Sequence, residues 1–135
     1  MKLDSVSKSL VVWLGILLFA VANGAARELV LIPLIGRHPA LILSGVSLCA
    51  LILLLAYLSV RWFGHAPRAT YVAVGLIWLG LTVTFELGFG HFVQGKTWSQ
   101  LLDAYSFAGG NLWPVVSVVT AVAPYWAARV RGLVR

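Results

Sequence analysis

The chemistry open to this chain is concentrated in a few charged side chains set among apolar ones. Glu86 stands in the stretch Thr84-Phe85-Glu86-Leu87-Gly88-Phe89-Gly90-His91 and is the only acidic residue between Glu28 and Asp103. An ionised carboxylate among lipid tails is costly, so an acid placed there faces a bundle interior or a wet cavity and takes a partner. Three readings of Glu86 follow: a structural ion pair with Arg27, a ligand- or proton-binding group, or the solvated end of a helix. Arg27 and Glu28 are adjacent and project about 100° apart on a helix. Arg27 also follows Asn23 by four residues, on the same face, so the two form a polar stripe. Arg27 and Glu28 read either as ordinary interfacial charge or as a clamp for phosphate or carboxylate, which a guanidinium grips in a fork. His91 follows Glu86 by five residues, about 140° around a helix, so regular geometry keeps them apart. They join one site only if Gly88 and Gly90 unwind the helix end.

Other chemistries lack parts. His38, His65 and His91 do not fall at ligand spacing, so no metal site is expected. No histidine lies mid-segment, which argues against haem, and no other cofactor is implied. Ser44, Ser47 and Cys49 have no adjacent base that would make one of them a nucleophile. A trio of Glu86, His91 and Asp103 or Tyr105 can do acid–base work on a lipid headgroup only if the chain around residue 100 folds over the site. Cys49 is the single cysteine, so no intrachain disulfide forms.

These residues must be positioned by helices in a bilayer. The chain is 61% hydrophobic over 135 residues, with ten basic and four acidic side chains. Its mean hydropathy is +0.95. A soluble domain needs more polar surface than this, and the long apolar runs define an integral membrane protein of one domain. The net charge of +6 does not indicate nucleic acid, because the basic residues cap apolar segments and form no patch.

Four spans are expected, at about 9–28, 40–60, 69–90 and 112–128. The first begins like a signal peptide, with Lys2 and Lys8, an apolar Leu10–Phe19 and a small Ala20-Val21-Ala22. It is read as a membrane helix, which can run on to Ile32, where Pro33 stops or kinks it. Residues 29–39 are too apolar for a free loop and too broken for a span. They are expected in the interface or against the bundle, with Pro39 in the first turn of the next helix. In the third span Gly80, Thr84 and Gly88 recur at spacing four, a ridge that lets another backbone approach. Gly75, Leu79, Thr82, Glu86 and Gly90 lie on a different stripe. Thr97-Trp98-Ser99-Gln100 has the capping-box pattern. It opens an amphipathic helix, about 98–107, expected to lie flat on the membrane with Trp98, Leu101, Leu102 and Tyr105 on one face. Asn111 is placed to cap the fourth span. Pro124 is expected to kink that span or loosen its last turns.

Charge sets the orientation. Lys2, Lys8, Arg61, Arg68, Arg129, Arg131 and Arg135 fall on one side, and Arg27, Arg37 and Lys96 on the other. Seven against three puts both termini in the cytoplasm. Arg27, Glu28, Glu86, His91 and the amphipathic helix then share the outer side.

Two phrases carry a resemblance. Asn23-Gly24-Ala25-Ala26-Arg27-Glu28 and the run from Phe85-Glu86-Leu87-Gly88-Phe89-Gly90-His91 to Gly95-Lys96-Thr97-Trp98-Ser99 look like those of an uncharacterised family of small bacterial four-helix membrane proteins. In that family Asn-Gly-x-x-Arg-Glu ends the first helix and Phe-Glu-x-x-x-Gly-His the third. Gly-x-x-Trp and a short helix with a tyrosine, here Tyr105, come next. The resemblance implies the fold and a bacterial inner membrane, and brings no activity. Asn111-Leu112-Trp113 departs from it, since a basic residue is expected before the leucine.

The expected architecture is therefore all-α, with four transmembrane helices and a short interfacial helix between the third and fourth. The leading functional expectation is binding or transport of an amphiphile or small polar solute. Asn23, Arg27, Glu28, Glu86, His91 and Tyr105 would form its outer polar cluster. The alternatives are a lipid-modifying enzyme at the outer interface and a non-catalytic accessory protein locked by an ion pair. Four thin helices enclose little volume, so a pathway is expected to need a homodimer, with Gly80, Thr84 and Gly88 at the contact.

Overall fold

The computed structural model describes residues 3–103 and 113–134, and the described chain is all-helical. Three helices are long and apolar enough to cross a bilayer: Asp4–Ile35, Arg37–Phe63 and Arg68–Val93. A shorter apolar helix covers Pro114–Val130. Tyr105 and Asn111 lie outside the described residues.

The first helix outlasts its expected stop. α1 (Leu3–Ala26) passes into a π-helical turn, Arg27–Leu31, and then into α2 (Ile32–Ile35). Proline breaks an α-helix because it has no N–H to give. Here the π turn carries the Ile32 N–H to the Arg27 carbonyl, and Pro33 falls in the first turn of α2, where no N–H is missed. The break comes instead at Gly36, whose φ of 86° suits glycine alone. α3 (Arg37–Phe63) therefore starts three residues before Ala40, with Pro39 in its first turn.

The third segment behaves alike. α4 (Arg68–Gly88) does not unwind at its glycines. It widens into a second π turn, Phe89–Val93, in which the Gln94 N–H reaches the Phe89 carbonyl at 3.1 Å. Gly95, at φ 70°, then ends it. α5 (Trp98–Asp103) begins with the expected capping box: Gln100 N–H donates to Thr97 Oγ1 at 3.2 Å, and Thr97 N–H to Gln100 Oε1 at 2.9 Å. Of the expected 98–107 helix, only this part is described. Its expected apolar face is split, because Leu101 turns inward and is buried while Trp98 and Leu102 are exposed. Leu101 fills the notch left by Gly90, where a Cβ would strike its Cδ2.

α6 (Trp113–Val130) runs unbroken through Pro124, which is fully buried. It packs against both α3 and α4, and α1 also packs against both. Round the bundle the order is α1, α3, α6, α4, so the consecutive helices α3 and α4 stand diagonally. α3 presents one stripe at spacing four: Ala40, Ser44, Leu48, Ile52, Ala56 and Val60. Ala123, Ala127 and Ala128 of α6 are fully buried, small enough for close backbone approach.

Within the chain, α4 does not pack by its Gly80, Thr84 and Gly88 ridge. Gly80 and Thr84 are exposed, and nothing lies within 4 Å of where a Cβ would stand on Gly80 or Gly88. The stripe of Gly75, Thr82, Glu86 and Gly90 faces inward instead. Thr82 and Glu86 need an interior, and Gly75 is where α4 meets α6: a Cβ there would collide with the Ala121 carbonyl oxygen.

The end of the bundle that carries both termini is closed by cations on carbonyls. Lys8 Nζ donates to the Trp62 carbonyl at 2.9 Å, and Arg131 Nη1 to the Tyr57 carbonyl at 2.6 Å. The Trp62 carbonyl is one of the orphan acceptors at the end of α3, and both cations meet the negative end of its dipole.

Gly75→Ala is expected to destabilise the protein by about 1–3 kcal/mol, through overpacking at a rigid carbonyl. Gly80→Ala, in open space, is expected to be neutral or to stabilise by about 0.5–1 kcal/mol. Thermal unfolding of the purified variants in one detergent compares them.

Candidate functional site

A cavity of about 680 Å³ lies within the bundle, within the size range of small-molecule sites. It exists because α1 leans on α3 and α4 and scarcely meets α6. Its floor is mainly apolar, with Trp13, Ile16, Leu48, Ile52 and Val116; the two hydroxyls there, Thr82 and Thr120, are engaged by Trp13 Nε1 and by the Val116 carbonyl. Its upper wall and mouth carry Asn23, Arg27, Glu28, Arg37, Glu86, Gln94 and Lys96. Glu28, Arg37, Gln94 and Lys96 are also exposed, so the cavity opens at that end. From Trp13 to Arg27 the α1 wall rises by about 21 Å.

Two tryptophan side chains set the heights in this cavity. Trp13 Nε1 donates to Thr82 Oγ1 at 3.0 Å, and Trp78 Nε1 to the Ser9 carbonyl at 3.0 Å. Both bonds join residues 69 apart in the sequence, so α1 and α4 run side by side in one direction and one register. Glu86 is one turn above Thr82, whereas Arg27 is 14 residues above Trp13. Glu86 therefore sits lower than Arg27 by roughly ten residues, about 15 Å of helix rise. The carboxylate is deeper than a helix ending near Gly90 would put it, because the π turn carries α4 on to Val93.

That offset separates the pair that the sequence suggests. Arg27 Nε meets Glu28 Oε1 at 3.4 Å, and its Nη2 lies 3.7 Å from where a Gly24 side chain would begin. Among the described residues no cation comes within 4.0 Å of Glu86. Glu86 is half-buried and looks into the cavity. Asn23 Oδ1 accepts a short hydrogen bond from Ser44 Oγ, joining α1 to α3 at the upper wall.

His91 is not in the cavity lining. Its Nδ1 donates to the Lys96 carbonyl at 2.9 Å, and its ring stacks on Trp98 at 4.0 Å. The Lys96 N–H in turn donates to the Gly90 carbonyl at 2.9 Å. Both backbone groups of Lys96 are thus held by the end of α4, which fixes the root of its side chain at the mouth. Glu86 and His91 do not meet, and Tyr105 lies outside the described residues.

Arg37, Gln94 and Lys96 are site residues that the sequence reading passes over, as are Trp13 and Thr82. One signal does mark the two cations. Each directly follows a glycine, in Gly36-Arg37 and Gly95-Lys96, and each glycine takes a positive φ that turns the chain back over the bundle. For Trp13 and Trp78 the signal is a mid-span position, where an indole N–H must find a buried acceptor.

Fold and cavity together define an all-helical membrane protein that encloses a chamber with an apolar floor and a charged mouth. No protein-family model matches the chain, nor does any curated protein or solved structure.

The Trp13–Thr82 bond should show a coupling of about 0.6 kcal/mol, and no more than about 1.7, as interhelical hydrogen bonds in membranes do. A double-mutant cycle with Trp13→Phe and Thr82→Val, read by unfolding in detergent, measures it. A coupling of zero would remove this bond as the pin of the α1–α4 register.

Proposed function

We propose that this protein binds an amphiphile, with the apolar tail in the lower cavity and the polar head at the mouth. The observation that carries this reading is the continuity of one cavity from Trp13 and Ile52 to Arg37 and Lys96. A small polar solute has no use for the floor, and a purely apolar one has no use for the mouth. The route of entry follows from Val21, Ala25 and Phe89, which line the cavity and are also exposed. In a bilayer this seam between α1 and α4 faces lipid, so a tail can enter sideways.

In this reading α6 crosses the bilayer beside α3 and α4 as a fourth span. The seven basic residues at the terminal end keep both termini in the cytoplasm of a bacterial inner membrane, and the mouth opens on the outer side. The exposed Phe92, Trp98 and Leu102 seat the rim in the interface. One chain encloses the chamber, so a second copy is not needed for volume, and the Gly80, Thr84 and Gly88 face stays free for lipid or for a dimer contact.

Ala20 lines the cavity, and Ala20→Trp would fill much of it. Native mass spectrometry of the amphipol-held protein with a neutral alkyl maltoside is expected to show binding to the natural chain. Ala20→Trp, checked for retained folding, should weaken it by roughly tenfold or more. Equal binding by both would place the tail elsewhere.

A further inference from the structure

We infer that the headgroup this cavity selects is anionic, of the phosphate type, and that Arg37 and Lys96 are the residues that select it. This rests on the amphiphile reading above and adds the sign of the charge. Three cations line the mouth, Arg27, Arg37 and Lys96, against one carboxylate there, Glu28. Glu28 is engaged by Arg27 Nε at 3.4 Å, which leaves the terminal guanidinium nitrogens of Arg27 unspent. Arg37 and Lys96 form no ion pair within 4.0 Å among the described residues.

The three cations come from three separate pieces of chain: the π turn after α1, the first residue of α3, and the turn after α4. They converge on one opening, as a headgroup with several charged oxygens requires. Two of them are held from the backbone. Gly36 turns the chain so that Arg37 begins α3, and the Gly90 and His91 bonds clasp Lys96. His91 is a positioning residue here, acting through Lys96. Glu86, lower on the α4 wall, stands beside the upper tail and bars an anion from sliding deeper.

The test compares four probes on the full chain in amphipol: an alkyl phosphate, an alkyl trimethylammonium and an alkyl maltoside of one chain length, and inorganic phosphate. The alkyl phosphate is expected to bind roughly tenfold or more tighter than the ammonium. The exposed double variant Arg37→Gln/Lys96→Gln, checked for an unchanged unfolding temperature in detergent, should abolish that preference. Glu86→Gln should bind the phosphate as well as the natural chain or better. His91→Ala should lose part of the preference, and His91→Asn, which keeps a donor, should restore some of it. Equal binding of all three heads overturns the inference and leaves the amphiphile reading standing. Ammonium preference that is lost in Glu86→Gln overturns it in favour of a cation site. Inorganic phosphate competing as well as the alkyl phosphate shows a solute site and overturns both readings, as does failure of every alkyl probe to bind.

Discussion

The contact on which the rest depends is the close approach of α4 to α6 at Gly75. With no side chain at Gly75, the Ala121 carbonyl lies directly on the α4 backbone. The alanines of α6 extend that closeness down to the terminal end. α6 is thereby wedged between α3 and α4 and holds those two consecutive helices apart. α1 closes the fourth side without reaching α6, and the gap it leaves is the cavity. Helix association in a bilayer has no hydrophobic drive between helices, so backbone proximity and interhelical hydrogen bonds decide which faces meet. Here proximity fixes α6, and hydrogen bonds from Trp13, Trp78 and Ser44 fix α1.

The two π turns are a second device. Arg27–Leu31 and Phe89–Val93 both lie at the mouth end, each following the stretch that carries a wall residue, Asn23 in one case and Glu86 in the other. Each turn lengthens a helix past a residue type that ordinarily stops it: Pro33 on the first, Gly88 and Gly90 on the second. The result is a pair of walls taller than a simple span, ending at glycines that send Arg37 and Lys96 back over the opening. π turns are rare and cluster at functional sites, because they re-aim side chains at the cost of helix regularity.

The polar groups also divide by depth. At the terminal end, cations are absorbed by the carbonyls at the end of α3 and by the Asp4–Lys8 pair. At the mouth, Arg37 and Lys96 have no such partners among the described residues. Between them stands Glu86, a carboxylate on the cavity wall with no ion pair among the described residues. A half-buried carboxyl of that kind is tolerated where water or a ligand can reach it, and the cavity provides that access.

The sequence by itself determined an all-helical class with apolar helices long enough to cross a membrane, and the capping box at Thr97 and Gln100. Apolar run length, side-chain donors at fixed offsets and the cost of charge in lipid are local properties, legible one segment at a time. Which stripe of α4 packs was not legible, because Gly80, Thr84, Gly88 and Gly75, Thr82, Glu86 are both small or polar rows. The choice lies with Ala121 and Trp13, on other helices. The pairing of Arg27 was not legible either, since it turns on an axial offset of about 15 Å set by the Trp13–Thr82 register. Nor was the role of His91, whose angle from Glu86 was readable but whose clasp on Lys96 needs the turn at Gly95. Helix content follows from residues in sequence. The cavity, its mouth and the cations that guard it follow from which helices stand opposite one another, and only tertiary structure decides that.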